Sequence, residues 1–568
     1  MPTTSRRMLM LIFFVIVLRS CAVFAAGPAN PASPDNDLQT SELCKVPISS
    51  NVATQPRRPR IIPCGGMLNE VGVLERMYIP DSFDQDRVQC GLFDVPLDWA
   101  RPELGYEQLH YTKYLAASDV EREGTIFVNP GYHPTGPSLT PQQRWMLYTA
   151  PKLHNSTEGK YDIVIWNVRG YSGHPSLTRP KLARCFDTKE ESDMFYRGAG
   201  VVLGVEPAWG GRMEFLHEQT YEDAKHWFHL QSMVVEQCVR KQNTTLLGYM
   251  GTAATVRDLV AMADTFDGSG SPVNFWGMEY GAHVGQYLLQ MFPERAGRVI
   301  LQAPQGLDTY LYEDTYETWR HELTYAHTLI GDFVKSCIEP EDADCSTYWH
   351  DEVLDQDDID MAQESLFKWA RNRYMGWRNS HETDSNNSAL AAACERPGSW
   401  GDPTYWLIDT LNEMQYIEHL DDFTLGVMPV YCGDKSTDYN QETAATRIRE
   451  IEAMLEDDIR LAPFLSSSIF PPLDYLCHIW PIRAVERLRI TTLESEMPET
   501  PAVGPLIIQY SQNPFARFLA PSSIVPRIKG AHNIVQLKFG VHGFEPETDV
   551  GRTIVEYLLH GGVTSHLL

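Results

Sequence analysis

The chain of 568 residues carries 47 Lys and Arg against 75 Asp and Glu, a formal net charge of −28, with 43% hydrophobic and 11% aromatic residues. That charge argues against nucleic-acid binding, which needs clustered Lys and Arg on the phosphates, and the apolar share is that of a folded protein with a sizeable core. The length suits a large α/β body bearing an insertion.

The first 26 residues read as a secretory signal. Arg6 and Arg7 make a positive start, Met8 to Leu18 is uninterrupted and apolar, and Val23-Phe24-Ala25 precedes a cut near Ala25 or Ala26. The apolar stretch is short for a bilayer and Arg19 ends it, although an uncleaved anchor stays open as the alternative. No later segment has the length and apolarity of a transmembrane helix, so no stable membrane anchor is expected after cleavage. Residues 27–60, rich in Pro, Ser, Asn and Asp, read as a flexible leader.

Residues 61–307 form the first part of an α/β core. "GTIFVNPG" (124–131), "YDIVIWNVRG" (161–170), "PVNFWG" (272–277) and "RVILQAP" (298–304) are near-continuous apolar runs, as buried parallel strands require. Helical spacing over 252–266 and 281–292 alternates with them, which predicts a mostly parallel, doubly wound sheet. Residues 308–495 change rhythm: acidic clusters, Trp and Tyr at helical spacing and no evident strand predict a largely helical cap over the sheet. Residues 496–568 return to the core with "VGPLIIQYSQNP" (503–514), "IVQLKFGVHGF" (534–544) and a closing helix over 549–562.

Eleven cysteines fit the secretory reading, since loss of Cys21 with the signal leaves ten. Their scatter, without Cys-x-x-Cys or paired His spacing, favours disulfides over a zinc site, and no cofactor is legible. Asn155, Asn243 and Asn386 stand in Asn-x-Ser/Thr triplets that accept glycans in such a compartment.

The stretch that bears on chemistry is "FWGMEYGAHVGQYL" (275–288). Strand, Gly-x-Glu-x-Gly and helix follow the frame of the nucleophile elbow, in which a serine is normally lifted on a tight turn. Gly277 and Gly281 permit the close approach of strand and helix, and Glu279 takes the serine's place.

Five ordered segments together resemble the secreted tripeptidyl-aminopeptidase-like branch of the α/β-hydrolases, related to proline iminopeptidases: "CGLFDVPLDWARP", "IFVNPG", "YDIVIWNVRGYSGHPS" followed by Cys185, "FWGMEYGAHVGQYLLQMFPERAGRVIL", and "GPLIIQYSQNP" with "FGVHG" and "VEYLLHGG". The resemblance spans residues 88 to 562 and implies an α/β-hydrolase fold, with pairs Cys185–Cys238, Cys337–Cys345 and Cys432–Cys477. It also implies a serine, a histidine and an acid. His542 in "FGVHG" matches the histidine loop, and His532 is a nearby competitor that precedes its strand. Asn513 stands where the family has an aspartate, and no Asp or Glu occurs from Thr500 to Phe544. The oxyanion hole implied by the resemblance would combine the Tyr280 amide with Gly131 or Tyr132, in a loop where the family's glycine run is replaced by Gly131-Tyr132-His133-Pro134-Thr135-Gly136. Asn167 replaces the Asp usual after the Trp166 strand.

The departures fall on functional elements while the scaffold residues persist. They predict a hydrolase body whose serine chemistry is lost and whose cleft binds a small molecule or peptide. The alternative is an active hydrolase of peptide, ester or epoxide bonds, with Glu279 as nucleophile or general base beside His542, or with a nucleophile relocated to Ser138 or Ser172. A third reading gives Glu279 only a favourable place at a helix start.

Overall fold

Alternating apolar runs and turns of the sequence become a nine-stranded sheet in the computed structural model. The structure describes residues 59–64, 82–131, 141–169, 185–203, 220–241, 244–312, 420–435, 444–461, 477–488, 503–510, 533–537 and 544–562. All of them belong to the unit Gln55–Leu568.

The strands are β1 (Arg60–Ile62), β2 (Val88–Pro96), β3 (Tyr106–Tyr114), β4 (Gly124–Asn129), β5 (Tyr161–Trp166), β6 (Val273–Met278), β7 (Ala296–Gln302), β8 (Leu506–Tyr510) and β9 (Asn533–Leu537). Their spatial order is β1-β2-β3-β5-β4-β6-β7-β8-β9. From β5 to β9 every neighbour is parallel, while β1, β2 and β3 pair antiparallel and β3 runs antiparallel to β5. The β5-β4 inversion followed by β6 through β9 is the strand order of the α/β-hydrolase fold, with β1 added at the edge. β4 and β5 are buried at every position, as the unbroken apolar runs require.

The described helices are α1 (Pro141–Tyr148), α2 (Ala150–Ser156), α3 (Lys189–Leu203), α4 (Thr220–Lys241), α5 (Thr252–Asp267), α6 (Tyr280–Met291), α7 (Leu307–Tyr312), α8 (Leu420–Asp434), α9 (Ala444–Leu461) and α10 (Asp549–His560), besides one short turn at Thr244–Leu247. Two cores form, one on each face of the sheet. One gathers Phe127, Phe275 and Leu301 with Val256, Tyr280 and Tyr287 of α5 and α6; the other gathers Ile126, Trp276 and Ile300 with Trp145, Leu153 and Tyr557. Alternation along β6 sends Phe275 and Trp276 to opposite faces.

The sequence reading treats 61–307 as continuous core, yet α3 and α4 stand between β5 and β6 ahead of the core helix α5. α9, from the segment between β7 and β8, packs along α4, so two separate stretches of chain meet there. Disulfides join Cys185 to Cys238 and Cys432 to Cys477, the pairs implied by the resemblance, and Cys64 to Cys90, which links the loop after β1 to β2. Cys337 and Cys345 lie outside the described residues. Among the described residues no helix is long and apolar enough to cross a membrane.

Candidate active site at the strand-to-helix elbow

β6 ends at Met278 and α6 begins at Tyr280, so one residue makes the whole turn. That residue is Glu279, at φ 50° and ψ −112°, a backbone conformation costly for a side chain of this size. The turn is held by Glu279 N–H donating to Gln302 O at 3.0 Å and by Ala282 N–H donating back to Glu279 O at 2.9 Å. The glycines around it have no room for a methyl group. A Cβ on Gly277 would lie 2.0 Å from Gly281 O, one on Gly281 would lie 2.1 Å from Asn129 O, and one on Gly285 would lie 2.4 Å from the Leu301 side chain. This is the geometry of a nucleophile elbow, with a carboxylate at its apex.

The Glu279 side chain does not cap its own helix. It is half-buried, its Oε1 is shielded from solvent, and it lies against Gly131 at the end of β4. A Cβ built on Gly131, whose φ is +84°, would meet Met278 O at 2.8 Å and Glu279 Oε2 at 3.4 Å. Glu279 thus keeps its place at the start of α6, but half-buried rather than as a surface carboxylate. Gly131 N–H donates to Asn129 Oδ1 at 3.0 Å, so this amide is engaged within its own turn and is not directed at an oxyanion. Tyr280 is buried, and its hydroxyl is 2.8 Å from Thr252 Oγ1. Tyr132, Ser138, Ser172, Asn513, His532 and His542 lie outside the described residues. β8 ends at Tyr510, three positions before Asn513, and β9 ends at Leu537, five before His542.

Two buried amides at the same ends of the strands are unmatched. Among the described residues, Asn129 Nδ2 at the end of β4, and Gln509 Nε2 and Oε1 on β8 beyond the Gln302–Ile508 register pair, find no hydrogen-bond partner. Buried polar atoms are normally satisfied, and those left over mark places for water or ligand.

A second set of polar groups lies behind the elbow and has no counterpart in the sequence reading. Asp434, the last residue of α8, is fully buried. It accepts Thr252 N–H at 2.9 Å, Thr252 Oγ1–H at 2.5 Å and Tyr310 O–H at 2.8 Å. Burial pushes its carboxyl up to about 6, against the hydrogen bonds that favour the ionised form. His283 of α6 stacks on Tyr310 with 4.1 Å between ring centroids. The signal that could have found Asp434 is three-dimensional, since 182 residues separate it from Thr252.

Among the described residues no group of His, Cys, Asp and Glu is placed to hold a metal ion. Of the glycosylation triplets only Asn155 is described, exposed in the last turn of α2; Asn243 and Asn386 lie outside.

No protein-family model matches the chain, and no curated protein matches it in sequence. Among solved structures it is similar to a protein described as an epoxide hydrolase from Klebsiella pneumoniae subsp. pneumoniae, at 10% identity over 85% of this chain and 99% of that one, with a TM-score of 0.30. It is also similar to an acetylester hydrolase from Corynebacterium glutamicum (11% identity, 80% of this chain and 86% of that one, TM-score 0.28) and to epoxide hydrolase A from Mycobacterium thermoresistibile (12%, 80% and 96%, TM-score 0.28). The fold assignment stands on the strand order and the elbow.

Proposed function

We propose that this is a secreted α/β-hydrolase-fold protein of the tripeptidyl-aminopeptidase-like branch whose serine chemistry is lost and whose cleft binds a small molecule or peptide. The observation that carries the reading is Glu279 at the elbow apex, with its side chain lying over Gly131. Acyl transfer builds negative charge on an oxygen held by amides beside the apex. A fixed carboxylate there repels that charge, and a carboxylate is a far weaker acyl nucleophile than a base-activated hydroxyl. Gly131 N–H, committed to Asn129, withholds one candidate donor.

A strained backbone residue costs about 1–3 kcal/mol and is kept where the surroundings force it. Here the strained residue lays its carboxylate beside Gly131, and Asn129 and Gln509 leave buried polar atoms unmatched among the described residues, which suits recognition of a polar ligand. The three disulfides fit an oxidising compartment. The exposed Asn155 fits a glycan carried on that route.

A substrate panel tests the reading: amino-terminal tripeptide amides, short acyl esters and epoxides, offered to the wild type and to Glu279→Ala. Neither protein should exceed the buffer rate. Turnover by the wild type that Glu279→Ala abolishes would overturn the proposal in favour of a catalytic carboxylate.

A further inference from the structure

Four pieces of chain converge on the Asp434 carboxylate: the end of α8, Thr252 at the start of α5, Tyr310 on α7, and, through Thr252, Tyr280 in the first turn of α6. α8 comes from the long segment between β7 and β8; the helices α5 and α6 belong to the core and flank the elbow. Among the described residues no cation approaches Asp434. Its partners are two hydroxyls and one amide, so its charge is met by hydrogen bonds alone. It also ends a helix whose last carbonyls carry partial negative charge.

The titratable neighbours are aromatic for the most part. Tyr280, Tyr287 and Tyr310 face the carboxylate from α6 and α7, Tyr431 packs on Tyr280 and Tyr310 from α8, and His283 stacks on Tyr310. Lys435 follows Asp434 in the chain, and Glu486, whose carbonyl approaches Gly251, is ion-paired to Arg257 at 2.6 Å.

We propose that Asp434 is a proton-operated clasp that fastens the α8 segment to the elbow, tightest when its carboxyl is protonated and loosened when the carboxyl ionises. Opening brings the carboxyl into water, where the charged form is solvated; closing strips that water away without supplying a cation. The closed state therefore holds its proton more firmly, with burial lifting the carboxyl from 3.8 to about 6. The sign follows from linkage: closure is fully favoured below about pH 4 and that advantage is lost as the pH rises through about 6. A difference of about two units corresponds to about a hundredfold change in the opening equilibrium. Nothing in this requires the elbow to be catalytic or inert.

Hydrogen exchange of the full chain, followed by mass spectrometry from pH 4.5 to 7.5 and corrected for the intrinsic pH dependence of exchange, tests the clasp. Peptides covering Leu420–Lys435 and Gly251–Val256 should lose protection by tens- to a hundredfold across that range, with a midpoint near 6. Asp434→Asn should flatten the profile. Tyr310→Phe, which removes a donor to the ionised carboxylate, should move the midpoint upward and remains informative if the asparagine variant fails to fold. Wild-type protection that does not change with pH, a wild-type slope surviving in Asp434→Asn, or an unmoved midpoint in Tyr310→Phe would each overturn the proposal.

Discussion

At the scale of single residues, the elbow is defined by what is missing from its glycines. Gly281 brings α6 within reach of Asn129 O, and a methyl group there would sit 2.1 Å from that oxygen. Gly281→Ala must push the helix off β4, and overpacking of this kind costs about 1–3 kcal/mol or more. Gly198 in α3 is the internal contrast, because nothing lies within 4 Å of its added Cβ. There alanine should stabilise by up to about 1 kcal/mol through helix propensity. Denaturant midpoints of the two variants should therefore move in opposite directions; a neutral Gly281→Ala would show that the elbow is looser than described. The glycines and Glu279 are legible in the sequence because their spacing is local. Asp434 is not, because a single acidic residue among 75 acquires meaning only when α8 lies beside Thr252.

At the scale of elements, long-range pairs fix how the antiparallel edge meets the parallel sheet. Arg169, just past β5, makes two hydrogen bonds to Asp258 of α5, at 2.6 and 2.7 Å, and donates to Pro96 O and Leu97 O at the end of β2. Both side chains of the pair are almost wholly buried, at 2% and 1% exposure. Trp99 Nε1–H gives Asp258 a further bond at 2.8 Å. Removing one member of such a pair leaves a buried charge uncompensated, at about 3–5 kcal/mol. Asp258→Ala should lower the unfolding free energy by that amount in guanidinium titration; a loss below about 1 kcal/mol would contradict the role given to the pair. The strands were legible as apolar runs and α5 and α6 as periodic stretches, since each signal is carried by neighbouring residues. α4 was missed although Trp227, Leu230, Val234 and Cys238 recur on one face, because two parallel strands need only one crossover helix and α5 already supplies it. Cys64–Cys90 was missed for another reason: pairing among ten cysteines has no local signature.

At the scale of the whole molecule, an α/β-hydrolase sheet carries an elbow of the right shape and the wrong side chain. The strand order is that of the α/β-hydrolase fold, and the carboxylate over Gly131 opposes the charge that acyl transfer would create. If the serine chemistry is lost as proposed, no serine of this body reacts as an activated nucleophile. Incubation of the intact protein with a fluorophosphonate probe, with adducts mapped by mass spectrometry, tests it most directly. No serine should be labelled; stoichiometric labelling at one serine, Ser138 and Ser172 included, would overturn the proposal.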